Sequence, residues 1–97
     1  MIKKIKLNLK KSDVEKYPMV EVKWNDILSD PDWTSINDLK KLKLPICTTK
    51  GHLVSQSKGI TRIFGDYAES NDEKGKIDEV GNTTIIPNGC IIGIKKI

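Results

Sequence analysis

Residues 83–97, TTIIPNGCIIGIKKI, contain the clearest fold signal of this 97-residue chain. Residues 83–86 and 90–96 favour β-structure, and Pro87-Asn88-Gly89 lies between them. Proline sets φ for the first corner of a turn, and Asn-Gly tolerates the left-handed backbone that closes a hairpin. The stretch therefore predicts a β-hairpin at this end of the chain.

Two further strands are indicated upstream by strict alternation of apolar and polar residues. Residues 5–10, IKLNLK, predict a strand with one buried face, and polar residues 11–18 predict a connection. In the second strand Val20, Val22 and Trp24 would face the core, while Glu21, Lys23 and Asn25 would face outward. Trp24 is therefore expected to pack in the core.

Turn chemistry and a helix signal follow this strand. Residues 25–32, NDILSDPD, are rich in side chains that bond to their own backbone, so the aspartates there are interpreted as turn-formers. Ser35 is a natural helix N-cap with Asp38 three residues later, and Pro45 ends the pattern. One helix of about two turns is predicted.

The middle of the chain returns to short strands. Residues 46–54 predict a strand with a bulge or bend at Gly51, residues 57–59 a turn, and residues 60–64 the next strand. Residues 65–80, GDYAESNDEKGKIDEV, are polar and charged, and they predict a mobile surface loop.

Short, closely spaced strands and one helix indicate a single domain over residues 1–97, mainly β. The predicted architecture is a small Src-homology-like or Sm-like antiparallel barrel. A helix-capped antiparallel sheet is the alternative. Residues 1–18 would form a basic N-terminal arm or an edge strand.

The positive charge is concentrated in the first half of the chain. Residues 1–50 contain eleven lysines and seven acids, and the second half contains six basic and six acidic residues. The five lysines before Asp13 would attract phosphates if they act as an arm, or keep an edge strand soluble.

The remaining composition indicates a soluble cytoplasmic protein. The first eleven residues have no uninterrupted apolar core, and no apolar run approaches the roughly 20 residues that span a bilayer. Cys47 and Cys90 are too few for a disulfide framework, so both are expected to be small buried thiols in a reducing compartment.

Self-association is predicted from the last strand. Cys90, Ile92 and Ile94 would face one way and Ile91 and Ile97 the other, whereas a half-buried strand normally has one polar face. Either the helix or a second copy would cover the additional face, and a homo-oligomer is the favoured interpretation.

His52, the one histidine, has no recognisable catalytic or metal-binding pattern around it in the sequence. No nucleophile and orienting carboxylate accompany it, and one histidine with two scattered cysteines makes no recognisable metal site. Residues 48–51, TTKG, lack the spacing of a phosphate-binding P-loop, although their amides, hydroxyls and ammonium could hold a phosphate. We therefore expect neither an enzyme nor a cofactor.

Five residues are the candidate ligand contacts. Aromatic rings stack on nucleobases, and Arg62, the only arginine beside sixteen lysines, offers phosphate a planar fork. Lys50, His52 and Arg62 would neutralise phosphate, whereas Trp33 and Tyr67 would stack on a base.

The motifs together resemble those of small phage and prophage proteins. The shared pattern is a strand ending in Trp24-x-Asp26, Trp33 before a short helix, a Thr49-x-Gly51 turn, and the final IPNGCI segment at 86–91. The resemblance covers residues 20–97 and implies a compact β-rich protein, without an assigned activity in most members.

The resemblance implies a short list of functions. One is a host-defence inhibitor, or sponge, that sequesters a small anionic nucleotide signal in a pocket between subunits without cleaving it, in the cytoplasm of the host cell. The alternatives are a small barrel that binds nucleic acid or protein, or a structural or assembly protein of the phage.

Overall fold

A computed structural model describes residues 13–97, which form five antiparallel strands and one short α-helix. The predicted strand over residues 5–10 and the five N-terminal lysines lie outside the described residues. The strands are β1 (Met19–Asn25), β2 (Ile46–Ser55), β3 (Ile60–Glu69), β4 (Ile77–Pro87) and β5 (Ile91–Lys96), and the helix is α1 (Ile36–Lys41). Two 3-10 helices cover Asp13–Lys16 and Asn88–Cys90.

Strand β1 follows its alternating sequence pattern, as predicted. Val20 and Val22 are buried, Lys23 is exposed, and Trp24 is half-buried against the core. The indole Nε1–H of Trp24 donates to Thr49 Oγ1 at 3.0 Å, which satisfies its one polar group. The core assignment of Trp24 is therefore confirmed.

The sheet order is β4-β3-β2-β1-β5, so β4 and β5 lie at opposite edges. The predicted hairpin over residues 83–97 is therefore wrong, because Pro87 leads into the 3-10 helix Asn88–Cys90 and β5 pairs with β1. The backbone N–H of Asn88 donates to the Gly59 carbonyl at 2.8 Å, and its side-chain oxygen accepts from the buried Thr61 hydroxyl at 2.6 Å. These bonds hold the turn against β3 while the chain crosses to the other edge.

This short crossing requires a curled sheet. With neighbouring strands about 4.8 Å apart, the edges of a flat five-stranded sheet would be about 19 Å apart. The chain from Pro87 to Ile91 spans at most about 14 Å. Among residues 13–97 the strands form one open sheet rather than a closed barrel, and its curvature brings Ile86 of β4 into one buried cluster with Val20, Val22 and Ile63.

Residues 65–80, predicted as a loop, mostly continue the strands. β3 extends to Glu69 and β4 begins at Ile77, with Tyr67 opposite Val80. Backbone hydrogen bonds between the two strands need no apolar side chains, so a polar segment can form an extended hairpin. The Asp13 carboxylate accepts the backbone N–H of Ile77 at 3.1 Å, which attaches the first 3-10 helix to this hairpin.

Gly51 lies within a continuous β2, and the irregularity in the β2–β3 pairing occurs between Leu53 and Ser55. The predicted bulge is therefore misplaced by a few residues. Gly51 is needed for a different reason: a Cβ there would overlap Ile63 Cγ2 and would lie 2.8 Å from the Phe64 carbonyl oxygen.

The connection between β1 and β2 contains the predicted turn and helix. The Ser35 hydroxyl accepts the backbone N–H of Asp38 at 3.0 Å, so the N-cap is confirmed. Asp26 accepts the N–H of Ile27, and Asp30 accepts that of Asp32, which confirms their role as turn-formers.

The final strand differs from the predicted two-faced pattern. Cys90 belongs to the preceding 3-10 helix, and both Cys90 and Ile91 pack against the core. Ile92 and Ile97 are more than half exposed. Cys47 and Cys90 are free thiols, and both are half-buried rather than fully buried.

Candidate functional site

A row of charged side chains crosses three neighbouring strands on the outward face of the sheet. Glu21 of β1 lies directly opposite Lys50 of β2 and Lys95 of β5. Its carboxylate oxygens are 4.0 Å from Lys50 Nζ and 3.6 Å from Lys95 Nζ. The Glu21 side chain is only 17% exposed, against 61% and 69% for the two lysines. The lysines thus cover the one carboxylate of the row and present two ammonium groups to solvent.

Lys23 extends this positive surface by one row. Side chains two residues apart on a strand share a face, so Lys23 lies on the same face as Glu21. Its Nζ donates to Thr48 Oγ1 at 3.2 Å. A shallow groove of about 280 Å³ runs between β1 and β5, and it is lined by Glu21, Lys23, Ile92, Gly93, Ile94 and Lys95.

Arg62 lies on β3 on the same outward face. His52 is opposite Phe64 in the antiparallel β2–β3 pairing, and Arg62 is opposite Ser55. Lys50 and Arg62 therefore share this face but lie on opposite sides of the His52–Phe64 pair. Within residues 13–97 the Arg62 guanidinium makes one long contact, 3.5 Å, with the Ser55 hydroxyl. Its other N–H donors can turn toward a ligand in solution.

An aromatic cluster occupies the neighbouring part of this face. The Phe64 ring is 1% exposed, and the rings of Tyr17, His52 and Tyr67 surround it at centroid distances of 5.6, 5.0 and 6.2 Å. His52 Nδ1 lies 2.9 Å from the Tyr17 carbonyl oxygen. A carbonyl oxygen can only accept, so this hydrogen bond requires a proton on Nδ1. His52 is therefore a half-buried packing residue, whereas Tyr67, 42% exposed, still offers part of its ring.

Trp33 lies in a different part of the molecule from the other four candidate residues. Its side chain is fully exposed and lines an open groove of about 910 Å³ within the β1–β2 connection, together with Leu28, Leu39, Leu42 and Leu44. In the described part of one chain, Lys50, His52, Arg62 and Tyr67 lie on β2 and β3, and Trp33 does not join them.

Residues 48–51 do not form the phosphate loop considered above. They lie inside β2, which pairs with β1 on one side and β3 on the other, so side chains alternate between faces. Thr48 and Lys50 face outward, and Thr49 bonds Trp24 on the core side. A phosphate could reach the side chains of one face only.

Sequence reasoning missed Glu21, Lys23 and Lys95 as members of this surface. The alternation in β1 places Glu21 and Lys23 outward, which was visible in the sequence. The contribution of Lys95 depends on the pairing of β5 with β1, which the hairpin prediction concealed.

Within residues 13–97 no three His, Cys, Asp or Glu side chains are grouped so that they could hold a metal ion. In the same range no helix is long and apolar enough to cross a membrane.

Comparison with known proteins gives no assignment: no family model, no curated protein and no solved structure matches this chain. The resemblance to small phage proteins, with the sponge function that it implies, is not linked to the chain by any of these comparisons. It stays a prediction from the motifs.

Proposed function

We propose that the protein is a non-enzymatic binding protein whose outward sheet face holds single-stranded nucleic acid through its phosphates. The observation behind this proposal is the set of cations on neighbouring strands, Lys95, Lys23, Lys50 and Arg62, with Glu21 as the carboxylate between them. Phosphate neutralisation by lysine and arginine releases counterions, and this release dominates affinity for nucleic acid.

The shape of the surface favours an extended ligand over an enclosed one. Small-molecule sites bury most of their ligand in a concave cavity. The groove beside Lys23 and Lys95 is shallow, and the cations are spread across several strands. The ring centroid of Tyr67 is 5.8 Å from that of His52. Tyr67 would supply a stacking surface for one base of the ligand.

The test is titration of a labelled single-stranded oligonucleotide, followed by fluorescence anisotropy over a series of salt concentrations. The variant K23Q/K50Q/K95Q removes three ammonium groups, so its slope of log affinity against log salt should be shallower by about 2. Lys74→Gln is the matched control, because Lys74 is an exposed lysine in the turn after β3. Absence of binding at low salt, or equal slopes for the triple variant and wild type, would refute the proposal.

A small anionic nucleotide, sequestered without cleavage, is the second candidate ligand. It is supported by the pairing of β2 and β3, in which Lys50 and Arg62 share one face on either side of His52, and by the half-exposed Tyr67, whose ring contacts that of His52. Incubation with cyclic oligonucleotides, followed by denaturation and detection of intact ligand, tests it. Arg62→Lys should weaken this binding because it removes the planar fork. Failure of every cyclic oligonucleotide to bind excludes this candidate and leaves the first one unaffected.

A further inference from the structure

The connection between β1 and β2 exposes an unusual amount of apolar surface. Seven large apolar side chains of residues 26–45, and Ile46 at the start of β2, are between 49% and 101% exposed. These eight are Ile27, Leu28, Trp33, Ile36, Leu39, Leu42, Leu44 and Ile46. We refer to them as the connection surface. Contiguous exposed apolar patches on soluble proteins usually mark interaction sites.

The connection is nevertheless a structured element. The backbone N–H of Asp26 donates to the Pro45 carbonyl at 3.0 Å, which closes the base of the connection. Ser35 caps α1, and the Asp30 side chain fixes the preceding turn. Local hydrogen bonds therefore hold the backbone of the connection, although the core of the sheet does not include its apolar side chains.

We propose that the connection surface is the interface of a two-fold symmetric dimer of this chain. The surface contains both a protrusion and a cavity: Trp33 is fully exposed, and leucines line the open groove of about 910 Å³ beside it. An interface across a two-fold axis must be self-complementary, because the same patch is used by both subunits. The Trp33 indole of each copy would enter the leucine-lined groove of the other.

The charges of the connection nearly balance. Its acids are Asp26, Asp30, Asp32 and Asp38, and its lysines are Lys40, Lys41 and Lys43. With four acids and three lysines the segment has a charge of 3 − 4 = −1, so two copies repel each other little.

The available area fits a stable dimer. Each partner contributes about 800 Å² to an interface of standard size. At roughly 100 Å² of exposed apolar surface for each large side chain, the eight side chains together provide a similar area. A different protein would need no such self-complementarity of shape. The second copy is therefore the occupant that these features favour.

The first test is sedimentation velocity of the full chain over a wide range of protein concentrations. We expect a concentration-dependent dimer, and Trp33→Glu and Leu39→Glu should each raise the dissociation constant by at least about 30-fold. Ile85→Glu is the control, because Ile85 is 62% exposed on β4, outside the connection surface. Circular dichroism confirms that each variant folds. A monomer at the highest soluble concentration, or a dimer unchanged by both substitutions, would overturn the proposal.

A charge-swap experiment tests whether the two connections face each other. One variant, K40E/K41E/K43E, makes the connection entirely acidic. The other, D32K/D38K, gives it five lysines and keeps Asp26 and Asp30, whose side chains hold the turns. Each variant alone should dimerise less than wild type because like charges then face each other. Their mixture should form a heterodimer at least as tight as the wild-type dimer. A mixture that stays monomeric would show that the two connections do not face each other.

Discussion

Replacing Gly51 by alanine should test how closely β2 and β3 approach each other. A Cβ at Gly51 would overlap Ile63 Cγ2 and would lie 2.8 Å from the carbonyl oxygen and 3.3 Å from the carbonyl carbon of Phe64. The Ile63 methyl belongs to the buried cluster, and the Phe64 carbonyl belongs to the strand paired with β2. Neither can move without separating packed or hydrogen-bonded groups.

Two opposing effects set the magnitude for Gly51→Ala. Overpacking a well-packed core costs about 1–3 kcal/mol. Alanine also reduces the conformational freedom of the unfolded chain, and this effect stabilises the folded protein by about 0.4–1 kcal/mol where the native backbone suits alanine. Because one of the close contacts is a backbone atom, the upper part of the overpacking range applies, and we expect the free energy of unfolding to fall by about 2 kcal/mol.

The matched control is Gly89→Ala. Among the described residues no heavy atom lies within 4 Å of a Cβ built at Gly89, and its φ lies outside the left-handed region. Gly89→Ala should therefore leave the free energy of unfolding unchanged or raise it by up to about 1 kcal/mol. The hairpin prediction implied the reverse, namely that replacing Gly89 costs folding.

Equilibrium urea unfolding, followed by far-UV circular dichroism and by tryptophan fluorescence, gives both values. All proteins are compared at one concentration, because dimerisation would make apparent stability depend on it. If Gly51→Ala unfolds at the same urea concentration as wild type, the close approach of β2 and β3 is not a constraint on the fold. If Gly89→Ala is the more damaging change, the reasoning from available space is wrong.

Two further predictions concern the buried and terminal contacts of the sheet. Thr61→Val keeps the shape of a fully buried side chain but leaves the Asn88 oxygen without its donor, so it should cost about 1–3 kcal/mol in urea unfolding. Thr61→Ser, which keeps the hydroxyl, should retain the hydrogen bond, and an equal cost for both variants would contradict this account. The hydrogen bond from the Ile77 N–H lowers the pKa of the Asp13 carboxyl below 3.8. The attachment it provides is therefore present above pH 3.8 and lost as the pH falls through the lowered pKa, so the Ile77 amide shift in NMR spectra should titrate below pH 3.8 in wild type and not in Asp13→Asn.

Local sequence signals predicted local structure well. Strand β1 was found because Val20 and Val22 alternate with polar residues, and α1 was found because Ser35 is a suitable cap. In both cases the residues that give the signal lie within the strand or next to the helix that they specify. The mainly β character of residues 13–97 and their one short α-helix were predicted correctly for the same reason.

Partner choice between strands could not be predicted in this way. Pro87-Asn88-Gly89 is compatible with a hairpin turn and also with a 3-10 turn, and the contacts of Asn88 with Gly59 and Thr61 select the latter. Those contacts join residues more than 25 positions apart. The cation row was missed for the same reason, since Lys95 joins Glu21 only through the β1–β5 pairing.

The polar hairpin of β3 and β4 shows a second limit of sequence reasoning. Residues 65–80 contain few apolar side chains, and a pattern search treats such a segment as a loop. Backbone pairing extends the strands because the preceding residues already align them, from Ile60 opposite Pro87 to Phe64 opposite Thr83. Of the predicted site residues, Lys50, His52 and Arg62 share one face through strand pairing, whereas Trp33 belongs to a different surface.

The pairing of β1 with β5 also has a consequence for the rate of folding. Val22 is opposite Ile94, so this contact closes a loop of 94 − 22 = 72 residues. Folding rates of small domains fall as the mean sequence separation of native contacts rises, because the entropy of loop closure is lost before those contacts form. The β2–β3–β4 meander can assemble from neighbouring segments, whereas β5 must dock at the opposite edge. We therefore expect amides of β2 to β4 to gain protection early in refolding, and those of β5 to gain it last.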